Sequence, residues 1–127
     1  MKTYTIKSTT SQFTVALGEN LREIETIAGL RADGRGFVKQ VSLKALDNNA
    51  YRVEMLNSDE AVIASHDFGA SDGKVVEISG TDYYCYSQSV EWPLPIYEHV
   101  WTQKFAIRNL TNTLTTGAIE LTLQVEK

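Results

Sequence analysis

Two histidines beside acidic residues are the side chains best suited to metal or acid–base chemistry. His66 precedes Asp67, and His99 follows Glu98. With Asp72 they would form a metal site only if the fold brought them together. The sequence has no histidine pair at i and i+4, no Cys-x-x-Cys and no calcium-loop pattern. We therefore predict ordinary loop carboxylates and surface histidines, with no metal and no cofactor.

Nucleophilic catalysis has no recognisable motif in this chain. There is no Gly-x-Ser-x-Gly elbow, and neither histidine has an identifiable partner. Any two of the sixteen acidic residues could lie at the separation that glycoside cleavage needs, so a small enzyme built on acidic residues stays an alternative. Cys85, the single cysteine, reads as a small buried hydrophobe. We predict that the protein is not an enzyme.

An aromatic stretch from residue 83 to 101 is the most distinctive part of the sequence. It holds six of the twelve Phe, Trp and Tyr residues and both prolines. One interpretation is a binding face, because tyrosine and tryptophan are enriched at interfaces and stack on sugar rings. The other is that Tyr84, Tyr86 and Trp101 fill a core and that Trp92 covers one end of it.

The elements around these residues read mainly as strands. Residues 117–126 alternate apolar and polar side chains, which indicates a strand with one buried face. Residues 103–109 also read as a strand, with Phe105 and Ile107 inward. Short strands are predicted at 61–64, 74–79 and 83–89, and a strand–turn–strand pair at 3–17. Pro93 and Pro95 exclude a central strand, so residues 92–97 should be an edge or a surface loop.

Residues 37–46 and 50–56 alternate in the same way around the turn-forming residues 47–50. The apolar faces are Val41, Leu43 and Ala45 in the first run and Tyr51, Val53 and Met55 in the second. This pattern predicts a β-hairpin.

Residues 19–30, ENLREIETIAGL, break the alternation. Leu17, Leu21, Ile24 and Ala28 recur at three- and four-residue intervals, which predicts a short helix. Asn20 as N-cap, Glu23 and the terminal Gly29 supply its start and stop signals. A strand remains the alternative.

Eight or more short strands with polar turns predict an all-β, mostly antiparallel domain, either a β-sandwich, a jelly roll or a related barrel, with at most one short helix. At 127 residues and with an ordinary composition, one domain over 1–127 is expected. The sequence shows no secretion signal and no membrane-spanning run, so we expect synthesis in a cytoplasm. A net charge of −4 without a run of Lys and Arg argues against nucleic-acid and anionic-membrane partners.

The chain as a whole resembles the decoration or cement proteins of tailed-phage heads. The resemblance is carried by KFAIRNLTNTLTTGAIELTLQVEK, by VSLKALDNNAYRVEML and by the Thr/Ser-rich start. It implies a symmetric homo-oligomer, such as a trimer, bound to a capsid lattice and located in the virion. It assigns no functional residue.

Two functional hypotheses follow. The first is a virion structural protein that binds a protein assembly through anchors in the aromatic stretch, namely Trp92, Leu94, Ile96 and Tyr97. The second is a carbohydrate-binding module or receptor-binding domain. In that case Trp92, Tyr97 and Trp101 would stack on sugar rings, and Asp82 or Glu98 would accept hydroxyl hydrogen bonds.

Overall fold

The computed structural model of the protein describes residues 1–8, 22–31, 33–96, 102–111, 115 and 117–127, with the backbone alone at 28 and 29. Within these ranges the chain forms nine strands and a short 3₁₀ turn at Ala70–Asp72. The strands are β1 (Lys2–Lys7), β2 (Arg22–Arg31), β3 (Phe37–Ala45), β4 (Tyr51–Leu56), β5 (Val62–Phe68), β6 (Lys74–Ile78), β7 (Thr81–Pro93), β8 (Thr102–Asn109) and β9 (Glu120–Glu126). No described helix is long and apolar enough to cross a membrane.

The strands form two antiparallel sheets. One has five strands in the order β1-β9-β3-β7-β6, and the other has four in the order β2-β8-β4-β5. Every described strand pair is antiparallel. The predicted all-β sandwich is therefore confirmed.

The core lies between the two sheets and is made by the alternate residues that the sequence pattern selects. Leu121, Leu123 and Val125 of β9 are at most 1% exposed, as are Phe105 and Ile107 of β8. Burying one such side chain stabilises the fold by roughly 1.5–3 kcal/mol. The inward faces predicted for β3, β4, β8 and β9 are thus confirmed.

Three aromatic side chains pack together inside the sandwich. The ring of Tyr86 lies 5.7 Å from those of Tyr51 and Phe68. The Tyr86 hydroxyl donates a hydrogen bond of 2.8 Å to the carbonyl oxygen of Asn49, and burial raises the pKa of Tyr86 to about 12. Tyr86 is a core residue, as one interpretation of the aromatic stretch predicted, while Tyr84 is partly buried.

The predicted helix is wrong over its described part, because residues 22–31 form strand β2. Glu23 to Thr26 pair regularly with β8, and the register then shifts before Arg31. This irregularity lets Ile27 and Leu30, three residues apart, both be buried. Neither residue belongs to the set whose spacing indicated a helix. Of that set Ile24 is only half-buried, so the spacing does not mark the buried side of this bulged strand. Residues 19–21 lie outside the described ranges.

The predicted hairpin is also wrong, although both of its strands exist. β3 pairs with β7 and β9, whereas β4 pairs with β5 and β8. Residues 47–50 therefore cross from one sheet to the other, and the bond from Tyr86 to Asn49 anchors this crossing. Alternation identifies the buried face of a strand but does not say whether the next strand lies beside it or opposite it.

Smaller differences between the prediction and the structure concern the residues at which strands begin and end. Residues 65–68, predicted as loop, belong to β5. Strand β7 runs to Pro93, and only its first residues, 81–85, pair with β6. The rest of β7 has β3 as its one described neighbour, and a proline is tolerated at such an edge. The second strand predicted within 3–17 lies outside the described ranges.

Two glycines provide a matched test of this backbone. Gly36 and Gly80 both have positive φ, +86° and +82°. A Cβ on Gly36 would lie 2.2 Å from the carbonyl oxygen of Glu126, whereas one on Gly80 would meet nothing within 4 Å. Each substitution by alanine should cost about 1–2 kcal/mol for the left-handed conformation. Gly36→Ala should cost more, because it also displaces the end of β9. Equal losses in urea unfolding would contradict this close approach.

Candidate functional site

The outward side of the five-stranded sheet carries two rows of uncharged polar side chains, which together we call the polar face. Strand register aligns the members of each row. The first row is Thr5, Thr122, Ser42 and Ser87, and the second is Thr3, Gln124, Gln40 and Ser89. All eight are exposed or half-buried.

Hydrogen bonds between strands hold parts of this face in place. The Gln40 amide donates to the Ser87 hydroxyl at 2.6 Å, and the Ser87 and Ser42 hydroxyls are 3.1 Å apart. The hydroxyls of Thr5 and Thr122 are 3.2 Å apart. Each hydroxyl can both donate and accept, so the rows keep donors and acceptors for a ligand.

Aromatic side chains lie beyond both ends of the polar face. Phe37, 45% exposed, pairs with Glu126 at one end, and the Lys39 ammonium lies 5.8 Å from its ring centroid. A bond of 2.7 Å joins Lys39 to Glu91 and lowers the pKa of the Glu91 carboxyl.

Tyr83 is the half-buried ring at the opposite end, with the Lys44 ammonium 4.9 Å from its centroid. Lys44 pairs with Glu120, six residues from Glu126 along β9. At a strand rise of about 3.4 Å per residue, the Phe37 and Lys44 positions are roughly 20 Å apart.

A row of three lysines, one glutamate and one cysteine borders the polar face on the Tyr83 side, and we call it the lysine row. In strand order it consists of Lys7, Glu120, Lys44, Cys85 and Lys74. Cys85, predicted to be buried, is thus only half-buried on the outward side of the sheet. Beside it is a shallow pocket of about 150 Å³, lined by Lys7, Lys44, Leu46, Tyr83, Ala118 and Glu120.

The predicted anchors do not form one exposed surface. Trp92 and Leu94 are 8% and 4% exposed and belong to the core, so as exposed anchors they are corrected. Trp92 is buried because it lies on the inward side of β7, opposite Val38, and the Leu94 amide donates a hydrogen bond of 3.1 Å to the Gly36 carbonyl just beyond the strand. Ile96 is 74% exposed, and its binding role stays a prediction. Tyr97 lies outside the described ranges.

Of the residues predicted to contact sugar, Glu98 and Trp101 also lie outside the described ranges. Asp82 is exposed on β7 opposite Glu77, away from the polar face.

The residues considered for a metal site have separate partners. Asp67 accepts a bond of 2.6 Å from Arg52, which lowers the pKa of the Asp67 carboxyl, and Asp72 accepts a bond of 2.7 Å from the Gly69 amide. The His66 ring packs against Phe68. Among the residues that the structure describes, no three His, Cys, Asp or Glu are grouped to hold a metal ion.

The outward side of the four-stranded sheet is ionic. Glu54, 3% exposed at its side chain, lies 3.2 Å from Arg22 and 3.6 Å from Arg108. Lys104 of β8 lies 3.3 Å from Glu60 in the turn between β4 and β5. These charges bind one another, so this side offers fewer groups to a ligand than the polar face does.

Sequence reasoning missed the polar face and the lysine row. Thr122, Gln124 and Ser42 were visible as the polar half of their strands, but only sheet order reveals their neighbours. The lysine row gathers residues 7, 44 and 74, which no search for basic runs can find.

Comparison with known proteins supports the fold. No protein-family model matches the sequence, and no significant relative is found among curated proteins. Among solved structures, the chain is similar to the carbohydrate-binding module CBM27-1 of Caldicellulosiruptor saccharolyticus, crystallised in complex with mannohexaose. The TM-score is 0.53 at 18% sequence identity, over 90% of this chain and 69% of that chain. This likeness concerns the fold alone.

The ion cluster around Glu54 yields a stability test. Glu54→Ala leaves the largely buried Arg108 without its carboxylate, which should cost about 3–5 kcal/mol. Asp67→Ala is the control, since Asp67 is 55% exposed at its side chain and its pair with Arg52 should contribute at most about 1 kcal/mol. Urea unfolding of both variants measures the difference. Similar losses would show that the Glu54 cluster is not a buried ion network.

Proposed function

We propose that the protein is a non-catalytic carbohydrate-binding module that binds a glycan on the polar face. The observation that carries this proposal is the pair of uncharged hydroxyl and amide rows on the five-stranded sheet, with aromatic rings beyond both ends. The eight side chains are exposed or half-buried on the outside of a sheet, which suits an extended sugar chain better than a small molecule enclosed in a cavity.

The chemistry of the rows matches that of sugars. A glycan presents many hydroxyls that donate and accept, and Ser, Thr and Gln side chains can meet both roles. The lateral bonds of Ser87 with Gln40 and Ser42 orient these groups before binding, which lowers the ordering cost. Phe37 offers an exposed ring for the apolar side of a sugar.

The absence of acids from the two rows supports a non-catalytic role. Glycoside hydrolysis uses a pair of carboxyl groups about 5–10 Å apart. Neither row contains a carboxylate, and the nearby Glu91 and Glu120 are each within ion-pair distance of a lysine, Lys39 and Lys44.

The fold likeness points in the same direction. The similar module was crystallised with mannohexaose, so sandwiches of this shape include at least one sugar binder. Mannohexaose is therefore a natural first probe among other oligosaccharides.

Glycan binding can be tested by paired substitutions. An array of plant and microbial oligosaccharides, followed by calorimetry, should identify a ligand. The double variant Gln40→Ala with Ser87→Ala should bind it roughly tenfold or more weakly, because at least one hydrogen bond per side chain is lost. Ser65→Ala, exposed on the other sheet, is the control and should bind normally. Failure of the wild-type protein to bind any glycan, or equal binding by all variants, would contradict the proposal.

A contact with a larger protein assembly is a second proposal, in line with the resemblance to virion decoration proteins. Strand β6 favours it, because Val75, Val76 and Ile78 are 58%, 42% and 42% exposed. Among the described strands β6 pairs with β7 alone, so one backbone edge is open to another chain. Apolar edge strands of this kind tend to pair with partners.

The edge can be tested by sedimentation. If β6 mediates assembly, the wild-type protein should form oligomers or co-sediment with undecorated capsids, and Val76→Lys should abolish this. Val62→Lys, 44% exposed on the edge of the other sheet, is the control and should still assemble. A wild-type monomer that leaves capsids undecorated would contradict this proposal.

A further inference from the structure

The lysine row makes one border of the polar face positively charged, although the chain as a whole is acidic. It contains three lysines and one glutamate on adjacent strands, whereas the whole chain has a net charge of −4. Strands lie about 4.8 Å apart, so Lys7, Lys44 and Lys74, each two strands from the next, follow one another at roughly 9.6 Å across the sheet.

The lysines have few competing partners. Lys44 forms an ion pair with Glu120 at 3.7 Å, which is too long for a direct hydrogen bond, so its ammonium keeps its donors for a second carboxylate. Lys7 and Lys74 are exposed, and no carboxylate of the described residues lies within 4 Å of either ammonium. Both ammonium groups are therefore open to an anion from solution.

The surroundings of the row match a charged sugar. The first row of the polar face, which carries four hydroxyl groups, lies next to the lysine row on the sheet. The pocket of about 150 Å³ brings together Lys7, Lys44 and the ring of Tyr83. A sugar lying across the strands would meet hydroxyls on one side and ammonium groups on the other. Bonds from an ammonium to a carboxylate are stronger than neutral ones, so they would add to the neutral contacts.

We propose that the preferred glycan is acidic, a polyuronate that crosses the strands and places carboxylates spaced along its length on Lys7, Lys44 and Lys74. This inference rests on the proposed function and specifies its ligand class. A nucleic acid fits less well, because single strands require several stacking rings and a broadly basic groove. The row has one nearby ring, Tyr83, and lies on an acidic chain.

The test compares an acidic oligosaccharide with its neutral form. Oligogalacturonate, its fully methyl-esterified form, mannohexaose, a sulfated oligosaccharide and a single-stranded oligonucleotide are titrated into the wild-type protein near 0.15 M salt, where charges far from the ligand are screened. Oligogalacturonate should bind about tenfold or more tightly than its ester, since at least one charge-assisted bond is lost on esterification.

Substitutions of the lysines then test whether the lysine row causes the preference for the acidic oligosaccharide. Lys7→Gln, Lys44→Gln and Lys74→Gln should each reduce the preference for oligogalacturonate over its ester, and the triple variant should abolish it. Lys2→Gln is the control. It removes the same charge from an exposed residue of β1, about 17 Å from Lys7 at the usual strand rise.

The outcomes separate this inference from the proposed function. Equal binding of acid and ester, lost in the Gln40/Ser87 double variant but not in the lysine variants, would overturn the inference and leave the module intact. Binding of no glycan at all would overturn both. Tighter binding of the oligonucleotide or the sulfated sugar than of oligogalacturonate would overturn the uronate assignment.

Discussion

The register of β3 between β7 and β9 is the constraint on which the core and the polar face both depend. Side chains alternate between the two sides of a sheet, so a slip of one residue would turn Leu43 outward and Ser42 into the core. In the observed register Ser42 lies between Ser87 and Thr122, and Leu43 between Tyr86 and Leu121. The rows that offer hydrogen bonds to a ligand thus exist because the opposite side of the same strands is buried.

The two outward sides of the sandwich differ in charge, and this difference favours one of them as a binding surface. On the four-stranded sheet, Glu54 and Asp67 are paired with arginines, and a ligand would have to displace those partners. On the five-stranded sheet, Ser87 and its neighbours are neutral, so the proposed glycan would exchange its hydroxyls for water without displacing a charged partner. Charged residues lie at the borders of that face, where the proposed preference for acidic glycans would arise.

Much of the fold could be predicted from sequence, because the alternation of apolar and polar side chains along a strand indicates which side of it is buried. The strands containing Leu121, Phe105 and Val41 were predicted with the correct inward side. The strand around Ile24 was not predicted, since its register is irregular and its sequence does not alternate. The strands that pair with β3 and β4 could not be predicted either. A chain that crosses to the other sheet and a chain that turns back within one sheet show the same alternation of apolar and polar residues.

The candidate site was less accessible to sequence reasoning than the fold. Aromatic content drew attention to Trp92, yet a large ring is as useful in a core as on a surface, and Trp92 packs inside. The polar face consists of common residues whose significance comes from their neighbours on other strands. Such a surface becomes visible only when strand order is known.

Chemical-shift mapping of the labelled protein with its best-binding oligosaccharide tests the central claim most directly. A glycan on the polar face should perturb the amide signals of β3, β7 and β9 around Gln40, Ser42, Ser87 and Thr122, and leave β4 and β5 unchanged. Perturbations confined to β6, to Ile96 or to the four-stranded sheet would contradict the account.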